Sequence, residues 1–346
     1  MGPLRVSVIV LFLFVSLFPV FLGPQGYASD YRQGGNLTLI ALKGPVSAPR
    51  SEISGLALHR GRIFLLPQYP ERFAKKDKGI IFSIPEKRIA DYISGLDPSP
   101  IEPDAVSFVL GKVDKEIPGW EGFESIVFDG DRVWLTIESK PSRYSSQMQG
   151  FVIAGAVSED GQTLKIDPKS LTKIPPQTSI KNKSEESIFL YKEMVCAIHE
   201  ANGVAVNKTP VTHCFKKDLS YAGAFPFPNL EYRVTDVTEL DDGNRFYAVN
   251  YMFSGDKAAL QPSINRLMDV YGKNVMRKVE LSASFIIELE MTEKGVRLTD
   301  TPPISVPRDP HDAPRNWEGI VRFKDKGFLI ATDTHPETML AFLPFP

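Results

Sequence analysis

The chain has 346 residues, and its 40 lysines and arginines nearly balance its 42 aspartates and glutamates, which leaves a formal net charge of −2 at pH 7. Such a balance lacks the basic field that attracts nucleic acid, so we expect no nucleic-acid partner. Residues 29–346 are of a length that one large all-β domain reaches, and they contain no second long apolar run.

The first 28 residues are typical of a secretory signal peptide. Arg5 is the only early charge, residues 6–22 are almost wholly apolar, and Gly26-Tyr27-Ala28 offers small residues at both positions that matter for cleavage. The alternative is a membrane anchor, because the apolar run is nearly long enough to span a bilayer, although Pro19 and Pro24 interrupt it. We therefore predict cleavage near Ala28 and a secreted or periplasmic monomer without a stable membrane span.

Five hairpin motifs recur along the chain, each with a polar residue before an apolar strand, a turn, and a second apolar strand that runs back. A second polar residue follows the first after fourteen or fifteen positions. In an antiparallel hairpin these two positions lie at the same edge, so each motif predicts two polar groups at one end. The pairs are Ser54 with Gln68, Glu124 with Glu138, Glu186 with Glu200, Thr235 with Asn250, and Glu318 with Asp333.

Further apolar runs predict outer strands after each hairpin. The last hairpin is followed only by residues 339–345, and residues 37–42 form a spare strand near the start that would complete it. The predicted fold is therefore all-β, a five-bladed β-propeller of four-stranded blades over 29–346, closed by an N-terminal strand; six blades result if the insertion at 253–278 contains another. The other predicted outer strands are 79–84, 105–113, 150–156, 163–166, 204–215, 221–227, 284–290 and 296–306.

The two cysteines, Cys196 and Cys214, fall on predicted adjacent antiparallel strands. In an exported chain this placement favours one disulfide. The alternative is a pair of unlinked buried thiols, because cross-strand disulfide geometry is restrictive.

The first polar residue of each motif is expected to face the central channel, because the innermost strand of a propeller blade lines the axis. Several carboxylates in so narrow a space call for a cation or for raised pKa values. These residues offer only oxygen ligands, which favours calcium. A zinc or copper site would require Cys or His, and neither occurs among the residues expected to face the channel. The predicted calcium ligands are Ser54, Glu124, Glu186, Thr235, Asp236 and Glu318.

The second polar residues of the motifs are the candidate catalytic groups. Glu138 and Glu200 are the predicted general bases because both fall at the same end of the channel, and Asp333 is the acidic group of the last motif. The alternative is that the acids of both rings are ordinary rim charges. Their partners would then be Arg72, Lys140 or Arg315.

With these segments placed, the chain resembles the esterase-like phytase family of exported propellers. The best stretch is the last motif, from Asn316-Trp317-Glu318-Gly319 through Asp333 and on to Met339, and the starts of the other motifs support it. The resemblance implies a propeller and a metal-assisted hydrolase of phosphoesters or esters. The alternation of Ser and Glu at the motif starts is also similar, in pattern only, to the five-bladed calcium-activated nucleotidases.

The chain departs from the family pattern at two places. The family tends to have two consecutive acids after the last inner hairpin, whereas Asp333 is followed by Thr334. The usual glycine after the axial glutamate is replaced by Ser125 and by Ser187. Both departures bear on the predicted catalytic function more than on the predicted fold.

Two functions are consistent with this pattern. The first is an exported calcium-dependent hydrolase of phosphoesters or related esters, in which the ion polarises the substrate and positions the attacking water. The second is a non-catalytic propeller in which the ion ties the blades together and the channel end binds a ligand or a partner protein. Arg or Lys side chains converging on the ion would favour the first.

Overall fold

The computed structural model describes residues 32–74, 78–144, 146–262, 282–307, 315–333 and 338–346, together with Gly2, Leu267 and Val270. The predicted signal peptide, Gly2 apart, lies outside the described residues, as does most of the insertion predicted at 253–278. In the described part of the chain, no helix is long and apolar enough to cross a membrane.

The described strands form five blades, as the sequence predicts. Blade one contains β3 (Ile53–His59), β4 (Arg62–Pro67), β5 (Lys78–Pro85) and β6 (Asp104–Val109). Blade two contains β7 (Trp120–Asp129), β8 (Arg132–Ser139), β9 (Gln149–Val157) and β10 (Thr163–Ile166), with β11 (Thr172–Lys173) beside β9. Blade three contains β12 (Glu185–Tyr191), β13 (Met194–His199), β14 (Val211–Lys216) and β15 (Tyr221–Pro226).

Blade four contains β16 (Arg233–Val237), β17 (Arg245–Phe253), β18 (Ser282–Thr292) and β19 (Gly295–Leu298), with β20 (Ile304–Ser305) and β1 (Arg32–Gln33) at its edge. Blade five contains β21 (Trp317–Phe323), β22 (Gly327–Thr332), β23 (Leu340–Pro344) and β2 (Thr38–Ile40). The short helices within the described ranges are α1 (Glu86–Ile93), α2 (Val113–Glu116) and α3 (Lys257–Leu260). Single 3-10 turns cover Pro45–Ser47, Pro70–Phe73, Pro168–Ser170 and Ser254–Asp256.

The predicted closure by an N-terminal strand is confirmed. Strand β2 pairs antiparallel with β23, and Thr38 lies opposite Phe342. The innermost strands β3, β7, β12, β16 and β21 contact one another in that order, and β21 contacts β3 to complete the ring. The preceding strand β1 pairs with β20 of blade four, so the N-terminal region holds two neighbouring blades together.

Several outer strands differ from the predicted ranges. The run 105–113 ends as a strand at Val109, because Gly111 and Lys112 take positive φ values and start α2. Only 211–216 of the predicted strand 204–215 is extended, and 296–306 is divided between β19 and β20. Strand β6 pairs in parallel with β10, so the outer edges of blades one and two form one continuous sheet.

The hydrophobic core consists of layers between neighbouring blades. Trp134 of blade two, for example, is fully buried and packs with Ile188 and Phe215 of blade three. Comparable layers join the other neighbouring pairs around the ring. Because each blade buries both faces of its sheet, the inner strands read as nearly continuous apolar runs.

The predicted disulfide is confirmed: Cys196 and Cys214 lie directly opposite on β13 and β14, with their sulfurs 2.03 Å apart.

Each described inner hairpin has a β-bulge or register irregularity at the first polar residue of its motif. The register jumps from Ile53 to Gly55 in blade one, for example, and leaves Ser54 without an opposite residue. A bulge re-aims a side chain and increases local twist, which turns these residues out of the normal alternation. We call the five residues the axial residues; they are Ser54, Glu124, Glu186, Thr235 and Glu318.

Candidate functional site

The strand register shows which residues of the five motifs are equivalent. The residue two positions before each axial residue lies across from the end of the second strand, as shown by the backbone hydrogen bonds from Gln68 to Glu52 and from Glu200 to Ser184. We call this end of the channel the mouth. The facing pairs there are Glu52 with Gln68, Gly122 with Glu138, Ser184 with Glu200, Arg233 with Tyr251, and Asn316 with Asp333.

The sequence prediction for blade four is therefore wrong by one residue. Tyr251, not Asn250, faces the mouth, because it is Tyr251 that pairs with Arg233. A shift of one residue moves a side chain to the other face of a strand. Asn250 is fully buried, and its side-chain amide donates to the backbone oxygens of Glu231 and Arg233, both at 3.0 Å.

Arg233 is the residue at the mouth that sequence reasoning missed. Its guanidinium donates to Glu186 at 3.1 Å, to Glu318 at 2.9 Å, and to Glu200. A further bond of 3.2 Å runs to the side-chain oxygen of Asn316. Arg233 is 8% exposed, so this is a buried charge whose donors are used by three carboxylates from blades three and five. The sequence feature that could have identified Arg233 is its position two residues before Thr235.

Glu200 is the most strongly paired acid of the mouth. Lys183, itself 8% exposed, lies 3.3 Å from Oε1, and Arg233 bonds Oε2. Although burial alone would raise the pKa of Glu200, these two cations hold it at about 2. A carboxylate so strongly stabilised in its ionised form is a weak proton acceptor, and this does not favour its predicted role as a general base.

The other acids of the mouth have the opposite tendency. Burial, reinforced by the charge of Asp333, raises the pKa of Glu318 to about 8. Burial and the neighbouring Glu138 raise the pKa of Glu124 well above its ordinary value, although Gln68 donates to its Oε1 at 3.0 Å. Burial and Glu200 likewise raise the pKa of Glu186. Burial therefore shifts the pKa of all three acids in the direction that favours the protonated form.

Glu138 combines a raised pKa with an unused oxygen. Burial, together with the charge of Glu200, raises its pKa to about 7, against the opposing effect of Lys183. It is 4% exposed, and its Oε1 is buried without a hydrogen-bond partner among the described residues. Opposite it on β7, Gly122 has a φ of +114°, and a Cβ there would overlap Gln68, so the position requires glycine.

Ser54 and Thr235 use their hydroxyls to join neighbouring blades. Ser54 Oγ donates to the backbone oxygen of Phe123 at 2.8 Å, which links blades one and two. Thr235 Oγ1 donates to the backbone oxygen of Trp317 at 2.7 Å, which links blades four and five. Equivalent positions in the repeat therefore differ in their tasks: Glu186 and Glu318 bond Arg233, while the two hydroxyls bridge blades.

Asp236 is buried one residue beyond the axial ring and contacts three other blades. Its carboxylate accepts from the Ser125 hydroxyl and from the backbone N–H of Ile320, both at 2.9 Å, and from the backbone of Leu56. Burial raises its pKa well above its ordinary value. The equivalent residues of the other blades are small, which leaves room for this one carboxylate: Gly55, Ser125, Ser187 and Gly319.

The predicted calcium ligands do not come together as one cation site. Ser54, Thr235 and Asp236 use their oxygens between blades, while Glu186 and Glu318 share the guanidinium of Arg233. Among the described residues, no group of three or more His, Cys, Asp or Glu side chains is arranged to hold a metal ion. This donor set does not fit calcium, and calcium binding itself stays a prediction from the sequence.

Asp333 lies at the rim of the mouth. It is half-buried, and its backbone N–H donates to the backbone oxygen of Asn316 at 3.1 Å. It raises the pKa of the neighbouring Glu318. Asp333 therefore lies beside Glu318 at the mouth. Glu138 lies in another part of the mouth, between blades two and three.

No protein-family model matches the chain, and no curated protein shows significant sequence similarity to it. Solved structures that resemble it include a GH43 endo-arabinanase from Bacillus licheniformis, at 9% identity and a TM-score of 0.47 over 88% of this chain and 96% of that one. The soluble aldose sugar dehydrogenase from Escherichia coli shows 10% identity and a TM-score of 0.46, over 89% of this chain and 99% of that one.

A mannose phosphorylase from Leishmania mexicana shows 11% identity and a TM-score of 0.46, over 90% of this chain and 89% of that one. At these identities and TM-scores, no reaction, ligand or partner transfers to this chain. The propeller that the resemblance to esterase-like phytases implies is present, whereas the match to that family stays limited to its short motifs.

Proposed function

We propose that the protein is an exported hydrolase of esters, including phosphoesters, with Glu138 as its general base at the mouth of the propeller. The observation that supports this most is the state of the Glu138 carboxyl. It is buried, one oxygen is without a partner in the described structure, and its pKa is raised to about 7. A general base is most effective when its pKa lies near the working pH.

Glu138 is a better candidate than the other two predicted groups. Glu200 is ion-paired with Arg233 and Lys183, so its proton affinity is low. Asp333 is only half-buried, at the rim of the mouth beside Asn316, whereas Glu138 is 4% exposed. Export is supported by the confirmed disulfide between Cys196 and Cys214, because disulfides persist in oxidising compartments.

In the proposed reaction, the carboxylate of Glu138 takes a proton from a water molecule while the water oxygen forms a bond to the carbonyl carbon or phosphorus. The bond from that atom to the leaving oxygen breaks, and the proton held by Glu138 passes to the leaving oxygen. Glu138 returns to its starting state, so no oxidant or reductant is consumed.

One observation favours a non-catalytic propeller instead. Arg233 gives its donors to Glu186, Glu200, Glu318 and Asn316, so this charge serves to join blades rather than to bind a phosphate. A propeller stabilised in this way could offer its mouth to a ligand or a partner protein without chemistry.

The two functions are separated by a hydrolysis assay on the purified protein. The substrates are p-nitrophenyl acetate, p-nitrophenyl butyrate and p-nitrophenyl phosphate, each measured with calcium and with chelator. We expect hydrolysis of at least one substrate, and a loss of about 100-fold or more in E138Q. The control is E193Q, because Glu193 lies in the β12–β13 turn at the other end of the hairpin and is 87% exposed. Turnover that E138Q leaves unchanged would refute the proposed role of Glu138.

A further inference from the structure

We infer that Glu138 and Glu185 form a carboxyl pair that shares one proton across the boundary between blades two and three. Glu185 would act as a positioning residue for Glu138, so the inference rests on the proposed function. Glu185 is 1% exposed and has not been assigned a role in the hydrolytic step.

The geometry of the sheet places the two carboxyls side by side. Glu138 on β8 lies directly opposite Gly150 on β9. A Cβ added to Gly150 would overlap Oε2 of Glu185, so the Glu185 carboxyl lies where that Cβ would be. Opposite residues of a pair point to the same face, with their Cβ atoms about 5 Å apart. The carboxyl of Glu185 therefore lies on the face from which the Glu138 side chain projects.

Both carboxyls have an oxygen that is available for this contact. Oε1 of Glu138 and Oε1 of Glu185 are buried and have no hydrogen-bond partner among the described residues. Buried polar atoms of native proteins are nearly always hydrogen-bonded, so two such oxygens on neighbouring acids call for an explanation. A proton between them would satisfy both with one hydrogen bond.

The surroundings support a shared proton rather than two ionised groups. Burial, followed by the charge of Glu138, raises the pKa of Glu185 to about 8. Burial lowers the pKa of the adjacent His199 to about 4, so His199 supplies no positive charge near neutral pH. The charged groups that face the pair are Glu121, Glu124, Glu200 and Lys183. Lys183, which pairs with Glu200, and the Ser184 hydroxyl lower the pKa of Glu138, and Gln177 lowers that of Glu185, but burial outweighs them and both pKa values stay raised.

The pair has a direct consequence for the proposed reaction. Because the pKa of Glu185 is raised further than that of Glu138, to about 8 against about 7, we place the shared proton mainly on Glu185. The neutral carboxyl then donates to the carboxylate and fixes its orientation. The Glu138 carboxylate is thereby held in one orientation, and the substrate water would bind a carboxylate lone pair that the Glu185 proton does not use.

The inference is tested by carbon-13 NMR titration of protein labelled at the glutamate side-chain carboxyl. In the wild-type protein the two acids should lose their protons in two separate steps. In E138Q, the midpoint of Glu185 should fall by about one pH unit or more, because the neighbouring negative charge is gone. If E138Q does not fold, E185Q gives the matching result, since the upper step should disappear and Glu138 should titrate in one step. E193Q should leave both steps unchanged.

A Glu185 midpoint that stays in place in E138Q, or an upper step that persists in E185Q, would overturn the pair. This failure differs from failure of the proposed function. Hydrolysis that depends on Glu138 without the coupled titration supports the base and rejects the pair. Coupled titration in a protein that cleaves none of the esters supports the pair and rejects the hydrolase.

Discussion

The guanidinium of Arg233 donates to the carboxylate of Glu318 at 2.9 Å, across the boundary between blades four and five. The same nitrogen reaches Glu186 of blade three at 3.1 Å. One side chain thus connects three of the blades at the mouth. It supplies the positive charge that the sequence pattern assigned to a calcium ion.

Removing Arg233 should destabilise the protein strongly. In R233M, the ionised carboxylate of Glu200 loses one of its two cations, and Glu186 and Glu318 lose their shared donor; an uncompensated buried charge typically costs about 3–5 kcal/mol. The measurement is the free energy of unfolding from denaturant titration. R297M is the control, because Arg297 forms an exposed pair with Glu290 at 2.8 Å on the outer part of the same blade. A loss in R233M no larger than in R297M would contradict the axial role.

Calcium should not change the melting temperature. Arg233 already bonds Glu186 and Glu318, and the hydroxyls of the other axial residues bond backbone oxygens between blades, so most of the predicted ligands are in use. Calorimetry with calcium and with chelator should therefore give superimposable curves. A rise of several degrees with calcium would instead bear out the sequence-based prediction, and metal analysis of the purified protein would then give the stoichiometry.

Asp236 should hold the centre of the channel together. In D236A, the N–H of Ile320 and the hydroxyl of Ser125 lose their acceptor, and each buried unpaired group costs about 1–3 kcal/mol. Hydrogen exchange should show faster exchange at Ile320, because its amide bonds Asp236 directly. D241A is a useful comparison, since Asp241 is in the partly exposed β16–β17 turn. Unchanged protection of Ile320 would argue against this contact.

Stability should fall as the pH rises from about 4.5 to about 8. The folded-state pKa values of Glu138, Glu185 and Glu318 are raised to about 7, 8 and 8, so the folded chain binds more protons than the unfolded chain across this window. For Glu138 the full effect is on the order of 3 kcal/mol. Glu200 acts in the opposite sense, and its contribution is lost as the pH falls from about 4.5 towards 2.

The measurement is the unfolding free energy at a series of pH values. In E138Q the decline should be shallower between pH 5 and 7, because one of the raised acids no longer titrates. A stability that rises steadily from pH 5 to pH 8 would show that these acids are ionised in the folded protein.

Most of the fold prediction came from the repeat of five hairpin motifs. The polar residues recur at a near-constant interval because each axial residue stands at the bulge of an inner hairpin, and the spare strand at Thr38–Ile40 could only complete the blade that lacked one. The cysteine pair followed from the prediction that Cys196 and Cys214 lie on adjacent antiparallel strands. The lengths of outer strands were less predictable, because turns at residues such as Gly111 are set by local backbone conformation rather than by hydrophobic pattern.

The site was less predictable because side chains from different blades decide it. The acidic residues Glu124, Glu186 and Glu318 were identified from their positions, but one sequence does not show that Arg233 reaches two neighbouring blades. The one-residue difference between Asn250 and Tyr251 depends on the bulge at Thr235. Contacts between side chains of different blades depend on the tertiary structure, so the residue spacing within one motif does not predict them.

The central claim is that Glu138 is the general base of a hydrolytic mouth. The most direct test is the pH dependence of kcat/KM for whichever p-nitrophenyl ester the wild-type protein cleaves, measured beside E138Q and E193Q. We predict that wild type and E193Q share an ascending limb with a midpoint near the Glu138 pKa of about 7, and that E138Q loses both that limb and most of the activity. The same ascending limb and the same rate in E138Q would contradict the claim.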